Sequence, residues 1–500
     1  MVDVYLNDDK FKYEVETLIQ LFITPSSFRF IGKEALEGNQ SFLLTIYVTN
    51  DHEDLQIRTA FFKNGETMHQ VNEKEVINYN KPITKKEIKD GVKKSIYIIF
   101  EKVYAYSPPW GILTGIRPSK IVNEMMDQNI NEEEIIEHLR EHYKIQEEKI
   151  SLLMKVCQNE RPILNNSVPN GVSLYIGIPF CPSKCIYCSF TSYPADEYEV
   201  NQYLVALKKE IQYVGQELKN GQNKIETIYI GGGTPTVLSQ EQLKELLEWI
   251  HEYFDLKFLK EFTVECGRPD TITHQKLDAL KAYGVDRISI NPQTMKAETL
   301  RTIGRKHTPE QIKEAFIMAR DFGFKSINAD LITGLPHEDL EDFRQSLETL
   351  IDLGPQNITV HTLALKKASR LKQIREEYRY MSETCVKDML KEASRLMAYY
   401  EYHPYYLYRQ KYISGNFENI GYCKEGHECI YNIRIMEEKQ TIIALGAGAV
   451  SKVYFEKENR LERVPNVSNY EIYMGRIDEM IHRKKGLIFA NIDNKNNNTL

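Results

Sequence analysis

No stretch of the 500-residue chain approaches the roughly 18 consecutive apolar residues that a membrane-spanning helix needs, so a helical membrane protein is not expected. The opening residues, MVDVYLNDDKFKYEVE, put charges where a secretory leader would have an apolar core, and a cytoplasmic location is expected. Cysteine is scarce. Eight in this length are too few for a disulfide framework, so any tight grouping among them reads as metal or cluster ligation in a reducing compartment. The 26 glycines and 18 prolines fall well short of the roughly 25–30% that marks low-complexity chains, which excludes large-scale disorder. Excess positive charge is missing too: 64 Lys and Arg against 71 Asp and Glu leave a net charge of −7. No global field therefore draws nucleic acid or an anionic membrane, and neither partner is expected.

What remains is a globular chain, 42% hydrophobic and long enough for about three domains. Residues 1–106 carry the β-rich runs FRFIG, SFLLTIYVTN, LQIRTAFF and SIYIIFEKVYAY, predicting a small, mostly antiparallel N-terminal domain. Ser107-Pro108-Pro109 breaks it, and 107–171 reads as a helical segment and linker. From residue 172 six short apolar runs (SLYIGI, TIYIGG, EFTVEC, DRISIN, SINADLI, NITVHTL) are each followed by an amphipathic stretch of helical period. Such β-then-α units imply a parallel sheet, either a curled partial barrel or an open doubly wound one, with chemistry at the carboxyl ends of the strands. Residues 366–490 read as helical and Tyr-rich, with RLMAYYEYHPYYLYRQKY and a strand-like IIALGAGAVSKVYF; 491–500 reads as a tail.

The tight cysteine grouping is CPSKCIYC, placing Cys181, Cys185 and Cys188 directly after the first strand of this α/β stretch. Three thiolates leave one iron of a [4Fe-4S] cube without a protein ligand and free to coordinate a cofactor. The alternatives are a zinc site, which prefers four ligands, and three unrelated buried thiols. The second strand ends in Gly231-Gly232-Gly233-Thr234-Pro235-Thr236, where absent side chains let backbone approach a ligand, and no lysine follows as a phosphate loop would require. Later strands end in Glu265, Gln293 and Asp330, with Arg305 nearby. Each could instead cap a helix or form a surface ion pair, but as a set they offer what a ribose, an adenine edge and a carboxylate require.

These motifs resemble the radical S-adenosylmethionine (SAM) superfamily, whose C-x3-C-x2-C carries an aromatic before the third cysteine, as Tyr187 does here. The likeness covers about residues 172–366. It implies an α/β fold, a partial (β/α)6 barrel at 172–365, with a [4Fe-4S] cluster on Cys181, Cys185 and Cys188. SAM would bind the open iron and be cleaved by one electron to a 5'-deoxyadenosyl radical. A low-potential donor such as flavodoxin or ferredoxin would supply that electron.

The match narrows with YIGIPFCPSKCIYCSF, Tyr175 lying six residues before Cys181, and with Gln293, Arg305 and Asp330 in register. It is similar to the oxygen-independent coproporphyrinogen III dehydrogenase group, with its HemN, HemW and HemZ branches, and extends to about residue 485. The N-terminal extension, WGILTGIRPSK, YYLYRQKYISGNFENIGY and ECIYNIRIMEEKQTIIALGAGA most resemble the HemZ branch. A C-terminal, mainly helical HemN-type domain is implied at 366–490. By position, the family's SAM contacts fall on Tyr175, Gly232, Gly233, Thr234 and Glu265. Those of a second SAM fall on Tyr187, Gln293, Arg305, Asp330 and Ala364, and a further contact on Val450.

The reaction so implied converts two propionates of coproporphyrinogen III to vinyl groups, giving protoporphyrinogen IX in haem biosynthesis. Arg268, Arg370, Arg409 and Lys411 are candidate cations for the substrate's carboxylates, or else solvated surface charges. Two departures from the group stand out. Phe190 occupies the place of a further cysteine, as in the HemW branch, and Tyr431-Asn432-Ile433-Arg434-Ile435-Met436 lacks the His and Tyr-Trp of that branch's C-terminal segment. A haem chaperone and a radical SAM enzyme acting on another substrate are therefore alternatives. Cys423, His427 and Cys429 read as an axial-ligand or second metal grouping, or as ordinary thiols and a surface histidine.

Overall fold

Sixteen α-helices and sixteen strands account for most of the computed structural model, which describes all residues except 39, 52–53, 77–83, 116, 195, 365–368, 374–381, 411–416 and 490–500. The expected tail at 491–500 lies outside the described residues. The chain divides into two units, Met1–Met154 and Lys155–Leu500.

In the first unit, β1 (Val2–Leu6), β2 (Phe28–Phe30), β3 (Phe42–Asp51), β4 (Asp54–Lys63) and β5 (Glu66–Val76) form one sheet in the order β2-β1-β3-β4-β5. The β3-β4-β5 meander is antiparallel as expected, while β1 runs parallel to both its neighbours. SIYIIFEKVYAY, expected as a strand, lies instead in the helix Lys85–Tyr104. The physical reason is upstream: Thr84 and Glu87 close a capping box, and Val92, Ile96, Ile99 and Phe100 then fall on one buried stripe. That stripe packs on β4, with Phe100 edge-on to Phe61 and Ser95 bonded to Thr59 at 2.7 Å. Helices Ser119–Asp127 and Glu132–Glu141 follow the Pro-Pro break.

The second unit is built on β6 (Gly171–Ile178), β7 (Lys224–Gly232), β8 (Glu261–Glu265), β9 (Arg287–Ser289), β10 (Ser326–Thr333) and β11 (Asn357–Thr362), all parallel and adjacent in sequence order. A doubly wound sheet would reverse its strand order partway, so unbroken order identifies the partial barrel. Capping boxes begin four of its helices: Asp196 with Glu199, Ser239 with Gln242, Thr308 with Gln311, Asp339 with Asp342. Along each strand the side chains alternate. Ile228, Ile230, Val264, Ile288, Ala329, Leu331, Ile358 and Val360 are fully buried beneath the helices, whereas Tyr229, Glu265, Ser289, Asn328, Asp330, Thr359 and His361 face a common cavity.

The C-terminal region holds more helix than strand, through Glu383–Tyr399, Ile430–Glu437, Tyr470–Gly475 and Ile477–Lys484. It also supplies β12 (His403–Arg409), β13 (Glu418–Cys423), β14 (Thr441–Leu445), β15 (Val450–Phe455) and β16 (Arg460–Pro465), extending the sheet to eleven strands in the order β12-β13-β11-β10-β9-β8-β7-β6-β14-β15-β16. The HPYYLYR part of the Tyr-rich stretch, expected to be helical, is therefore a strand. Pro404 cannot continue a helix, and alternating aromatics suit a pleated surface.

Candidate functional site

The first loop of the barrel, after β6, is pinned at both ends. Cys181 N donates to Tyr193 O (3.0 Å), Tyr193 N to Pro179 O (2.9 Å), and Ile186 N to Ile303 O (3.1 Å). This holds Cys181, Cys185 and Cys188 at the wall of a cavity of about 360 Å3 at the strands' carboxyl ends, within the roughly 300–1,000 Å3 of small-molecule sites. All three are free thiols. Burial pushes the thiols of Cys181 and Cys188 up, each also raised by a neighbouring cysteine of the trio, so ligation by a metal centre would replace their protons. Cys181 Sγ lies 3.4 Å from Thr234 Oγ1, which ties the cysteine loop to the glycine loop.

Gly231-Gly232-Gly233 closes against that loop by backbone contact. Gly233 N donates to Ile178 O (2.8 Å) and Thr234 N to Phe180 O (2.7 Å). A Cβ on Gly233 would lie 2.3 Å from Phe180 O, and Gly232 adopts φ +112°, a conformation that L side chains rarely adopt. The cradle thus admits only glycine, leaving bare backbone toward the cavity. Glu265 stands beside it, accepting from Tyr229 Oη (2.6 Å) and Gly232 N (3.2 Å). Burial, reinforced by the Asp330 charge, pushes its carboxyl up to about 7 against the two donors that favour ionisation.

Gln293 sits with φ +73°, bridged to β10 through Gln293 N to Asp330 O (2.9 Å). Arg305 is buried, its guanidinium donating to Asn291 O (2.6 Å), Gly267 O (3.0 Å) and Tyr187 Oη (3.1 Å). Among the described residues Gln293 Oε1 and Arg305 Nε have no hydrogen-bond partner. Buried polar atoms left so are costly unless a ligand completes them. Asp330 accepts from Asn328 Nδ2 (2.8 Å) and faces His361 Nε2 at 3.6 Å.

Of the residues expected to contact a cofactor, Tyr187, Gly232, Gly233, Thr234, Glu265, Gln293, Arg305, Asp330 and Ala364 line the one cavity. None of Glu265, Asp330 or Arg305 serves as a helix cap or a surface ion pair. Tyr175 stands behind the wall, its ring stacked on Tyr229 and its hydroxyl 3.3 Å from where a Cβ on Gly232 would lie. Val450 opens β15 and is exposed, apart from the cavity-lining residues. The cations separate as well. Arg268 is buried, paired to Asp270 (3.1 Å), bonded to Ser183 and 3.9 Å from Cys185 Sγ, so it braces the cysteine loop from the loop after β8 while lining the cavity. Arg409 is buried in β12, where burial lowers its guanidinium to about 10. Arg370 is exposed, one residue before Leu371, whose N–H donates to Ile186 O (2.8 Å). Lys411 lies outside the described residues.

Cys423, His427 and Cys429 do not converge: His427 Nδ1 bonds Ser326 Oγ (2.8 Å) and Cys429 Sγ donates to Glu261 Oε1 (3.3 Å). Sequence reasoning missed Tyr229, Asn328, His361, Tyr406 and Tyr408, which also line the cavity. The signal was the two-residue alternation: Tyr229 precedes Gly231, and Asn328 precedes Asp330, each by one pleat.

A family model described as the radical SAM superfamily matches residues 175–350. The chain is 36% identical over 488 residues to the oxygen-independent coproporphyrinogen-III oxidase-like protein HemZ of Bacillus subtilis, covering 96% of each. It is 40% identical over 195 residues to the heme chaperone HemW of the same organism, covering 39% of this chain and 51% of that one. Among solved structures, coproporphyrinogen III oxidase (HemN) from Escherichia coli superposes with a TM-score of 0.51 at 23% identity, covering 64% of this chain and 72% of that one, a likeness of fold.

Proposed function

The chain belongs to the radical SAM superfamily, within the group that holds HemZ, HemW and the oxygen-independent coproporphyrinogen III oxidases, and from that premise we propose that it oxidatively decarboxylates coproporphyrinogen III without oxygen. The observation that carries this reading is the single cavity in which three thiols, a glycine cradle and the Glu265, Gln293, Arg305 and Asp330 side chains converge. The superfamily's cofactors are a [4Fe-4S] cluster and SAM. Cys181, Cys185 and Cys188 would hold the cluster. Gly232, Gly233, Thr234 and Glu265, backed by Tyr175, would hold the amino-acid part of SAM. Tyr187, Gln293, Arg305, Asp330 and Ala364 would line the remaining space. When bound, the pair supplies an electron and a carbon-centred radical able to take an unactivated hydrogen.

Such chemistry suits the substrate class. The β-hydrogen of a propionate is far too weakly acidic for a side-chain base tuned near pH 7. Each propionate must give one hydrogen atom to the carbon-centred radical and one electron to a separate one-electron acceptor as CO2 departs, leaving a vinyl group. The protein's part is to bind, orient and keep water out. Tyr229, Tyr406 and Tyr408 give the cavity an aromatic wall, and Arg370, exposed and next to Leu371, which bonds the cysteine loop, would be a cation for a substrate carboxylate.

A second reading rests on Phe190, which lines the cavity 66% exposed where the oxidases of the group carry a cysteine. It favours a haem-binding carrier that keeps the cluster but does not turn over porphyrinogen. Anaerobic incubation with SAM, a reductant and coproporphyrinogen III separates the two. Vinyl products with 5'-deoxyadenosine are expected; stoichiometric haem uptake without products would replace the first reading by the second.

A further inference from the structure

At the opposite end of the barrel from the cavity, β12 and β13 bring together side chains that the proposed reaction does not use. His403 opens β12 and Cys423 closes β13, and the two are direct antiparallel partners, a register that sets side chains of one face side by side. Cys423 in turn pairs with Asn357, the first residue of β11, so the pair lies at the amino ends of the barrel strands. A tight turn follows, in which His427 N donates to Lys424 O (3.1 Å), and it returns Glu428 to the same spot. His403 Nε2 is 2.8 Å from Glu428 Oε1 and 3.3 Å from Cys423 Sγ. One ligand atom from each of the three lies within 4.8 Å of the others.

We propose that His403, Cys423 and Glu428 form a second metal site, specific for a borderline divalent cation of the zinc type. The donor set is the argument. An imidazole nitrogen, a thiolate and a carboxylate are the three ligand types zinc takes, and a hard cation such as magnesium or calcium would not choose the sulfur. Cys423 is buried, whereas the side chains of His403 and Glu428 are 28% and 19% exposed, so solvent reaches the fourth position. Binding would displace the thiol proton of Cys423 and leave His403 neutral. Glu428 comes two residues before the helix Ile430–Glu437, which carries Tyr431 onto Tyr229 (ring centroids 4.5 Å) and places Asn432 and Met436 at the cavity. An ion here would clip that helix to β12 and β13.

The test uses full-length protein loaded anaerobically with iron and sulfide, so that Cys181, Cys185 and Cys188 are occupied. After exposure to zinc chloride and desalting, zinc and iron are counted by mass spectrometry. About one zinc per chain is expected, with affinity falling at least about tenfold in Cys423→Ser and His403→Gln while iron is unchanged. Glu428→Gln, which leaves both strands intact, serves the same purpose if the Cys423 variant does not fold. Cobalt(II) should add a thiolate charge-transfer band that Cys423→Ser abolishes. Failure to retain zinc, or equal retention by all three variants, would overturn the assignment.

Discussion

Glu265 offers the sharpest test of how the cavity is built, because its carboxyl is both buried and held by two donors. Replacing it by glutamine keeps the shape and removes the charge. The ordinary value of 4.5 rises to about 7 in the folded chain, burial being the first cause and the Asp330 charge a lesser one. Below pH 4.5 the folded and unfolded chains both carry the neutral acid, and Glu265 contributes no pH dependence. Between 4.5 and 7 the unfolded chain ionises first while the folded chain keeps its proton, so stability is lost as pH rises through that window. Each pH unit is worth about 1.4 kcal/mol, giving a penalty of about 3 kcal/mol at pH 8. Glu265→Gln removes this dependence, at the cost of one poorer hydrogen bond, about 1 kcal/mol, that is the same at every pH. Thermal unfolding of both proteins from pH 5 to pH 8, in the absence of SAM, should show the wild type losing several degrees relative to the variant as pH rises. Parallel pH curves would refute the picture of a carboxyl kept neutral by its surroundings.

Three further outcomes are expected. Cys185→Ala should abolish iron and sulfide retention after anaerobic reconstitution and with it all 5'-deoxyadenosine formation; a variant that still forms that product would contradict the cluster assignment. Gly233→Ala must push a methyl group into the Phe180 backbone, so SAM affinity by calorimetry should fall at least about tenfold, whereas Gly475→Ala, with nothing within 4 Å of the new Cβ, should be neutral. Lys484→Met should destabilise the chain by about 3–5 kcal/mol, because it strands the buried Glu210 carboxylate that now sits 2.6 Å from Lys484 Nζ. The double variant Glu210→Gln with Lys484→Met should recover part of that loss, and unfolding midpoints decide it.

The barrel was legible in the sequence because each of its elements declares itself locally. Apolar runs of strand length alternate with helices that begin at a Ser, Thr or Asp cap with its reciprocal partner three residues on. SIYIIFEKVYAY was misleading because β-branched and aromatic residues satisfy either period, and only the cap at Thr84 and the buried stripe choose the helix. β13 was hidden for a different reason: it is a strand because β11 offers it an edge, and β12 then pairs with β13, so the sheet is completed by partners distant in sequence that the local Tyr-rich pattern does not name. The site shows the same division. Residues at strand ends could be found by counting, while the separation of Arg268, Arg370 and Arg409 into three unlike environments depends on what folds over each of them.

The C-terminal strands occupy both margins of the parallel sheet, β13 beside β11 and β14 beside β6. Val172, in the first barrel strand, is paired with Thr441, which the ribosome delivers about 270 residues later. Until then the nascent barrel carries an open seam along β6, a template for unwanted pairing with other chains. Folding of this unit thus waits for synthesis of β14, and a chain cut before residue 441 should aggregate rather than yield a smaller working barrel.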